Sequence, residues 1–209
     1  MTGFFSQSLS PAGLAFLRHE EGIRGQVYND ATGKTISSYS DPGLKLNGGT
    51  GYPTIAMGLA LLTPELRAEY APYLGGGKVL SGADMDRSIA SALAPRVAQL
   101  NKMLTVKATQ NQFDALFSFA YNRGFAGHGF PSAVAELNAG NPTAAAAYIA
   151  GAAAYETSPN IQGRRVREAA LFSGGATGEA VAAAGTSPGA GIVVAALLAA
   201  IVWKLKNRG

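Results

Sequence analysis

Apolar positions recur with a helical period along most of the chain, and the stretch that breaks this period lies between residues 24 and 60. Before it, Leu14 and Leu17 share a face, Ser10 can cap, Pro11 fits a first helical position and Gly22 offers a left-handed stop. This predicts a helix over 11–21, ending at Glu21. Residues 24–60 are dense in Gly, Thr, Ser, Tyr and Pro, with turn signals at Thr32-Gly33, Asp41-Pro42-Gly43 and Asn47-Gly48-Gly49, and form the predicted β-structure. After Thr63-Pro64 the helical period returns. Helices are predicted near 64–73, 82–103 (interrupted at Pro95), 110–123, 131–139, 142–154 and 162–173. The clearest is 110–123: Thr109 and Gln112 have capping-box spacing, Phe113, Leu116, Phe117, Ala120 and Tyr121 share one face, and Gly124 closes it. It is expected to be the central core element.

Beyond Phe172 the pattern stops. Residues 173–191 are almost wholly Gly, Ala, Ser and Thr with Glu179 the single charge, so 1–172 is the expected domain and 173–188 a linker. Ile192 to Trp203 is apolar on every face and is followed by Lys204, Lys206 and Arg208. That composition predicts a transmembrane anchor over 189–209, although the apolar core is shorter than the usual ~20 residues and a docked hydrophobic helix is the alternative. No basic segment followed by an apolar run marks a secretory signal at the N-terminus.

Composition narrows the chemistry. Of 209 residues, 47% are apolar and 14% charged, which favours a packed core over disorder. There is no cysteine, which removes thiol catalysis and disulfides, and the two histidines, His19 and His128, lack the spacing of a metal site, so no cofactor is expected. Half of the net charge of +4 falls in the last 36 residues, and the remainder shows no basic face interleaved with aromatics, so a nucleic-acid partner is not expected.

Acetal hydrolysis needs one carboxyl that donates a proton and, in inverting enzymes, an ionised one that activates water. Glu21 lies at a helix C-terminus, where the negative end of the dipole disfavours a carboxylate, and Asp30 lies in a polar Tyr28-Asn29-Asp30 segment that suits an ionised one. Spacing alone carries little weight, since carboxylates nine residues apart are common. The surrounding motifs carry more. Glu21-Gly22-Ile23-Arg24, Val27-Tyr28-Asn29-Asp30 and Pro53-Thr54-Ile55-Ala56-Met57-Gly58 resemble those of glycoside hydrolase family 24, the phage-type lysozymes. The resemblance continues through Gln112-Phe113-Asp114-Ala115-Leu116, Ser118-Phe119-Ala120-Tyr121-Asn122 and Gly163-Arg164-Arg165-Val166-Arg167-Glu168, and covers roughly residues 10–172.

It implies an α+β, lysozyme-like fold, with a small β lobe and a larger helical lobe flanking a glycan cleft. It implies hydrolysis of the β-1,4 bond between N-acetylmuramic acid and N-acetylglucosamine in bacterial peptidoglycan. Glu21 is then the general acid, Asp30 the group that holds or activates water, and Thr54 the hydroxyl that positions it. Glu20 is the rival acid. Tyr121 and Asn122 match a segment that faces the glycan, with a helix-end cap as the other reading of Asn122. Arg164 and Arg165 are candidates to pair with Glu21 or to lie on the surface. Two departures stand out. The family places its Thr about six residues after the Asp, whereas 24 positions separate Asp30 from Thr54, so 33–52 looks inserted and is expected to lengthen the hairpin or else to displace the strand. Gly58 is followed by Leu59, where the family has histidine. Competing readings are a lytic transglycosylase, a non-catalytic membrane-tethered glycan binder and a holin-like pore former.

Overall fold

A computed structural model of the protein describes residues 6–174. The linker beyond 174 and the whole of the predicted anchor, 189–209, lie outside the described residues. Among the described residues no helix is long and apolar enough to cross a membrane. The fold is α+β, and the chain divides into two compact units, one formed by residues 21–95 and the other by the residues on either side.

In the first unit a three-stranded antiparallel sheet carries β1 (Arg24–Asn29), β2 (Pro53–Ala56) and β3 (Leu59–Ala60), in that spatial order. Pro53 stands at the first position of β2, where a missing N–H is tolerated, and all four β2 residues are buried. The register sets Tyr28 opposite Thr54 and Asn29 opposite Pro53. The unit is completed by α2 (Pro64–Tyr70), capped by Thr63, and by the first part of α3 (Gly82–Met103). The Tyr70 and Ser88 hydroxyls join α2 to α3 at 2.7 Å.

The long segment between β1 and β2 corrects one expectation. It does not lengthen the ladder, and it does not displace β2. It folds as a packed loop with one 3-10 turn (Lys45–Asn47) and two single bridges, Tyr28 with Thr35 and Leu44 with Gly51. Ile36 and Leu44 are buried and act as its miniature core. Glycine is required where the loop closes: a Cβ at Gly51 would lie 1.8 Å from Asn29 Oδ1, and one at Gly49 would lie 2.2 Å from the Gly43 carbonyl carbon.

The second unit is helical. It contains α1 (Pro11–Glu21) except its last residue, the end of α3, α4 (Gln110–Arg123), α5 (Phe130–Asn138), α6 (Pro142–Gly151) and α7 (Pro159–Phe172). The α4 helix is its core, with every residue from Phe113 to Ala120 buried, and both halves of the Thr109–Gln112 capping box are formed. Ser10 caps α1, accepting from the Gly13 N–H at 2.9 Å, and its own hydroxyl donates to the buried Asp114 at 2.5 Å.

Three further expectations are corrected here. The α3 helix runs unbroken through Pro95. Proline removes one ladder hydrogen bond, but Leu93 and Leu100 are buried on either side of it, and their packing holds the helix. The α7 helix starts at Pro159, a first-turn proline behind Ser158, a little earlier than its periodicity suggests. Finally, Arg164 and Arg165 are not surface residues, being only 1% and 0% exposed.

Candidate active site

Glu21 is the last residue of α1, and Gly22, at φ 70°, turns the chain from helix into β1. Consecutive helical residues point about 100° apart, and the two adjacent glutamates accordingly meet different surroundings. The Glu20 carboxylate is held in a two-pronged pair by Arg167 of α7, with Nε to Oε1 at 2.7 Å and the guanidinium NH2 to Oε2 at 2.8 Å, and its side chain is 6% exposed. Glu21 is exposed. The arginine fork engages both Glu20 oxygens, whereas Glu21 is open to solvent.

Asp30 follows β1 and continues its pairing. Its N–H donates to the Tyr52 carbonyl oxygen at 3.1 Å, and its Oδ1 accepts the Tyr52 N–H at 2.7 Å, taking the place of a backbone carbonyl. The same Tyr52 oxygen accepts the Thr54 hydroxyl at 3.2 Å. Asp30 and Thr54, 24 positions apart in sequence, therefore meet through one peptide unit. Asn29 prepares the turn that makes this possible. Its Oδ1 accepts from the N–H groups of Ala31 and Thr32, and its Nδ2 donates to the Gly43 oxygen at 2.9 Å, tying the loop to the strand.

Tyr28 shows which side of the strand the acids face. Directly opposed residues of an antiparallel pair project to the same face, so Tyr28 and Thr54 lie together. Burial pushes the Tyr28 phenol above its ordinary value; the Arg24 guanidinium, 4.8 Å over the ring, opposes this, and the carboxylates of Asp30 and Glu21 both add to the rise. Both predicted acids thus act on one phenol. A helix-end carboxyl, a carboxylate pinned by a backbone N–H and a neighbouring hydroxyl are the parts that general acid–base hydrolysis uses.

Tyr121 and Asn122 lie at the end of α4 in the helical unit. The Tyr121 ring lies 4.8 Å beneath the Arg96 guanidinium. Asn122 Oδ1 accepts from Arg165, whose other bonds reach Glu156, at 3.1 Å, and Glu168. Glu168 also accepts from Arg164 at 2.9 Å and from the Ser118 hydroxyl at 2.6 Å, while Arg123 pairs with Glu156 at 3.1 Å. Sequence reasoning missed Glu156, Ser118 and this internal role of Glu168. The i, i+3 and i, i+4 spacing of Arg165 and Arg164 to Glu168 was the available signal. It also missed Tyr52, whose peptide joins Asp30 to Thr54, because a backbone role leaves no mark on residue type.

Residues 18–168 match the family model described as phage lysozyme. An endolysin of Bacillus phage PZA is 43% identical over 81 residues, which are 36% of this chain and 30% of that protein, so the chain spans under a third of that relative's length in the match. Among solved structures, an endolysin from the Escherichia coli O157:H7 phage FAHEc1 superposes with a TM-score of 0.56 at 24% identity, covering 81% of this chain and 96% of that one. The muramidase domain of SpmX from Asticaccaulis excentricus superposes with a TM-score of 0.53 at 25% identity, covering 79% and 97%.

Proposed function

The chain belongs to the phage lysozyme family, and from that premise we propose that it is a phage-encoded muramidase hydrolysing the β-1,4 bond between N-acetylmuramic acid and N-acetylglucosamine in bacterial peptidoglycan. Glu21 protonates the leaving oxygen as the bond to the anomeric carbon breaks. Asp30 takes a proton from a water that attacks the opposite face, which inverts the anomeric configuration. Thr54 orients that water: its hydroxyl hydrogen is committed to the Tyr52 oxygen, which leaves its lone pairs to act as acceptors. Tyr121 and Asn122 are read as glycan contacts of the helical unit. The observation that carries the reading is the Tyr52 carbonyl oxygen, which accepts both the Asp30 N–H and the Thr54 hydroxyl and so couples the two residues despite the long intervening loop.

Mass spectrometry of digested peptidoglycan tests it. Reducing muramic acid ends are expected. Products dominated by 1,6-anhydro ends would make the enzyme a transglycosylase, and intact strands would make it a glycan binder.

The reading extends to the C-terminal sequence. Residues 1–172 are the catalytic domain, 173–188 a tether, and 189–209 a membrane anchor, because no charge separates Glu179 from Lys204 and Trp203 precedes a basic end. Such a tether suits a lytic or wall-penetrating enzyme of a host or virion membrane. Expression with and without residues 180–209 checks this: the full chain should need detergent, and the truncated chain should be soluble and active. A detergent-free soluble monomer of the full chain overturns the anchor.

A further inference from the structure

Lys45 belongs to the loop that separates Asp30 from Thr54. Its ammonium lies 4.7 Å over the Tyr52 ring and 3.2 Å from the Tyr52 hydroxyl, and its backbone N–H donates to the Gly51 oxygen at 2.8 Å. Tyr52 is also the residue whose N–H holds the Asp30 carboxylate. One residue thus links the proposed base to a fixed cation.

Among the described residues Lys45 makes no ion pair. The two acids of residues 30–52 are engaged with backbone, Asp41 with the Gly43 N–H at 2.7 Å and Asp30 with the Tyr52 N–H. The loop that carries Lys45 is built to keep its shape. Leu44 is fully buried, Asn47 Nδ2 donates to the oxygens of Tyr39 and Asp41 at 2.8 Å, and Asn29 Nδ2 holds Gly43. An exposed ammonium held over an aromatic ring on a packed loop is preorganised for an anion.

We propose that Lys45 and Tyr52 form a subsite for a carboxylate borne by the muramic acid unit of the strand being cut. This rests on the muramidase reading. The two sugars of peptidoglycan are otherwise neutral, and negative charge enters through the acids of the stem peptide or through a lactyl group stripped of its peptide. Either presents a carboxylate beside the scissile bond.

The test uses the full-length protein and Lys45→Met, which keeps the aliphatic stem and deletes the charge. Substrates are uncrosslinked glycan strands with stem peptides and the same strands stripped by an amidase. On intact strands KM should rise roughly fivefold, the upper range for an exposed ion pair, with kcat unchanged. The salt dependence of KM should weaken, and Lys45→Arg should restore wild-type behaviour. A difference on intact strands that vanishes on stripped strands assigns the subsite to a stem-peptide acid, and one that appears only on stripped strands, where the amidase has freed it, assigns the subsite to the lactyl carboxylate. Equal KM for Lys45→Met and wild type on both substrates overturns the proposal, as does a fall in kcat at constant KM, which would mean that Lys45 acts only by bracing Tyr52. If the wild type cleaves neither substrate, the muramidase reading fails instead, and sedimentation with insoluble peptidoglycan then decides. Weaker retention of Glu21→Gln/Lys45→Met than of Glu21→Gln supports the subsite, and equal retention overturns it.

Discussion

The two units treat charge in opposite ways. In the β unit the acids that carry the proposed chemistry stay at the surface and are oriented by backbone: Tyr52 holds Asp30, and the end of α1 presents Glu21. In the helical unit Arg164, Arg165 and Glu168 are withdrawn from water and satisfied by one another, by Ser118 and by Asn122. Desolvating charges is costly, and such a cluster is stable only while every member is paired. Charge in the first unit should therefore govern rate, and charge in the second should govern folding.

The largest expected effect follows from the second half of that contrast. Glu168→Ala leaves two buried guanidinium groups facing each other without their shared carboxylate. It should cost about 3–5 kcal/mol of stability, seen as a clear loss in denaturation midpoint, while Asp30→Asn melts close to wild type because its carboxylate is exposed. A Glu168→Ala protein with a wild-type midpoint would remove the distinction between the units.

Next in size is a pair at the end of α1, where the contrast narrows to adjacent residues. Glu21→Gln should fold normally and lose at least ~100-fold in activity, the lower range for general acid catalysis. Glu20→Gln should keep its rate but lose stability, since Arg167 forfeits its partner. Turbidity clearing of outer-membrane-stripped cells reads the rates, and thermal melts read the stabilities. Near wild-type clearing by Glu21→Gln would reassign the acid.

The same contrast explains what could be read from the chain. Helix α4 was legible to its ends because capping box, apolar stripe and closing glycine are local signals. Glu21, Asp30 and Thr54 were singled out by motifs, and of these Asp30 and Thr54 meet at the Tyr52 carbonyl oxygen. Pro95 was misread because proline's local preference was outweighed by the packing of Leu93 and Leu100, which only the folded chain supplies. The surface alternative for Arg164 and Arg165 failed because arginine is ordinarily exposed, and only the convergence of Glu168, Glu156 and Ser118 makes burial tolerable. The 33–52 segment was seen as an insertion but not as a packed element, since its core is two residues, Ile36 and Leu44, and its remaining order comes from backbone bonds that polar composition does not advertise.

The smallest effect tests whether Glu21 and Asp30 share surroundings. Because burial and both carboxylates hold the Tyr28 phenol protonated above its ordinary value of 10.0, the unfolded chain ionises at this position before the folded one does. Below about pH 10 both states keep the proton and Tyr28 contributes no pH dependence. Above it the unfolded chain binds fewer protons, so stability falls as pH rises toward the folded value. Tyr28→Phe should accordingly leave stability at neutral pH little changed and make its alkaline decline shallower. Some slope remains, since the Tyr39 phenol is raised in the same direction by burial. The residue is half-buried and solvent screens it, so the change in slope is modest. Urea midpoints on either side of pH 10 measure it, and equal slopes for wild type and Tyr28→Phe would mean that the phenol is not held. Ultraviolet titration then separates the causes: Glu21→Gln and Asp30→Asn should each make the Tyr28 phenol ionise at lower pH. If Asp30→Asn moves it and Glu21→Gln does not, Glu21 is too distant from the β1 face to work with Asp30 on one water and one glycosidic bond.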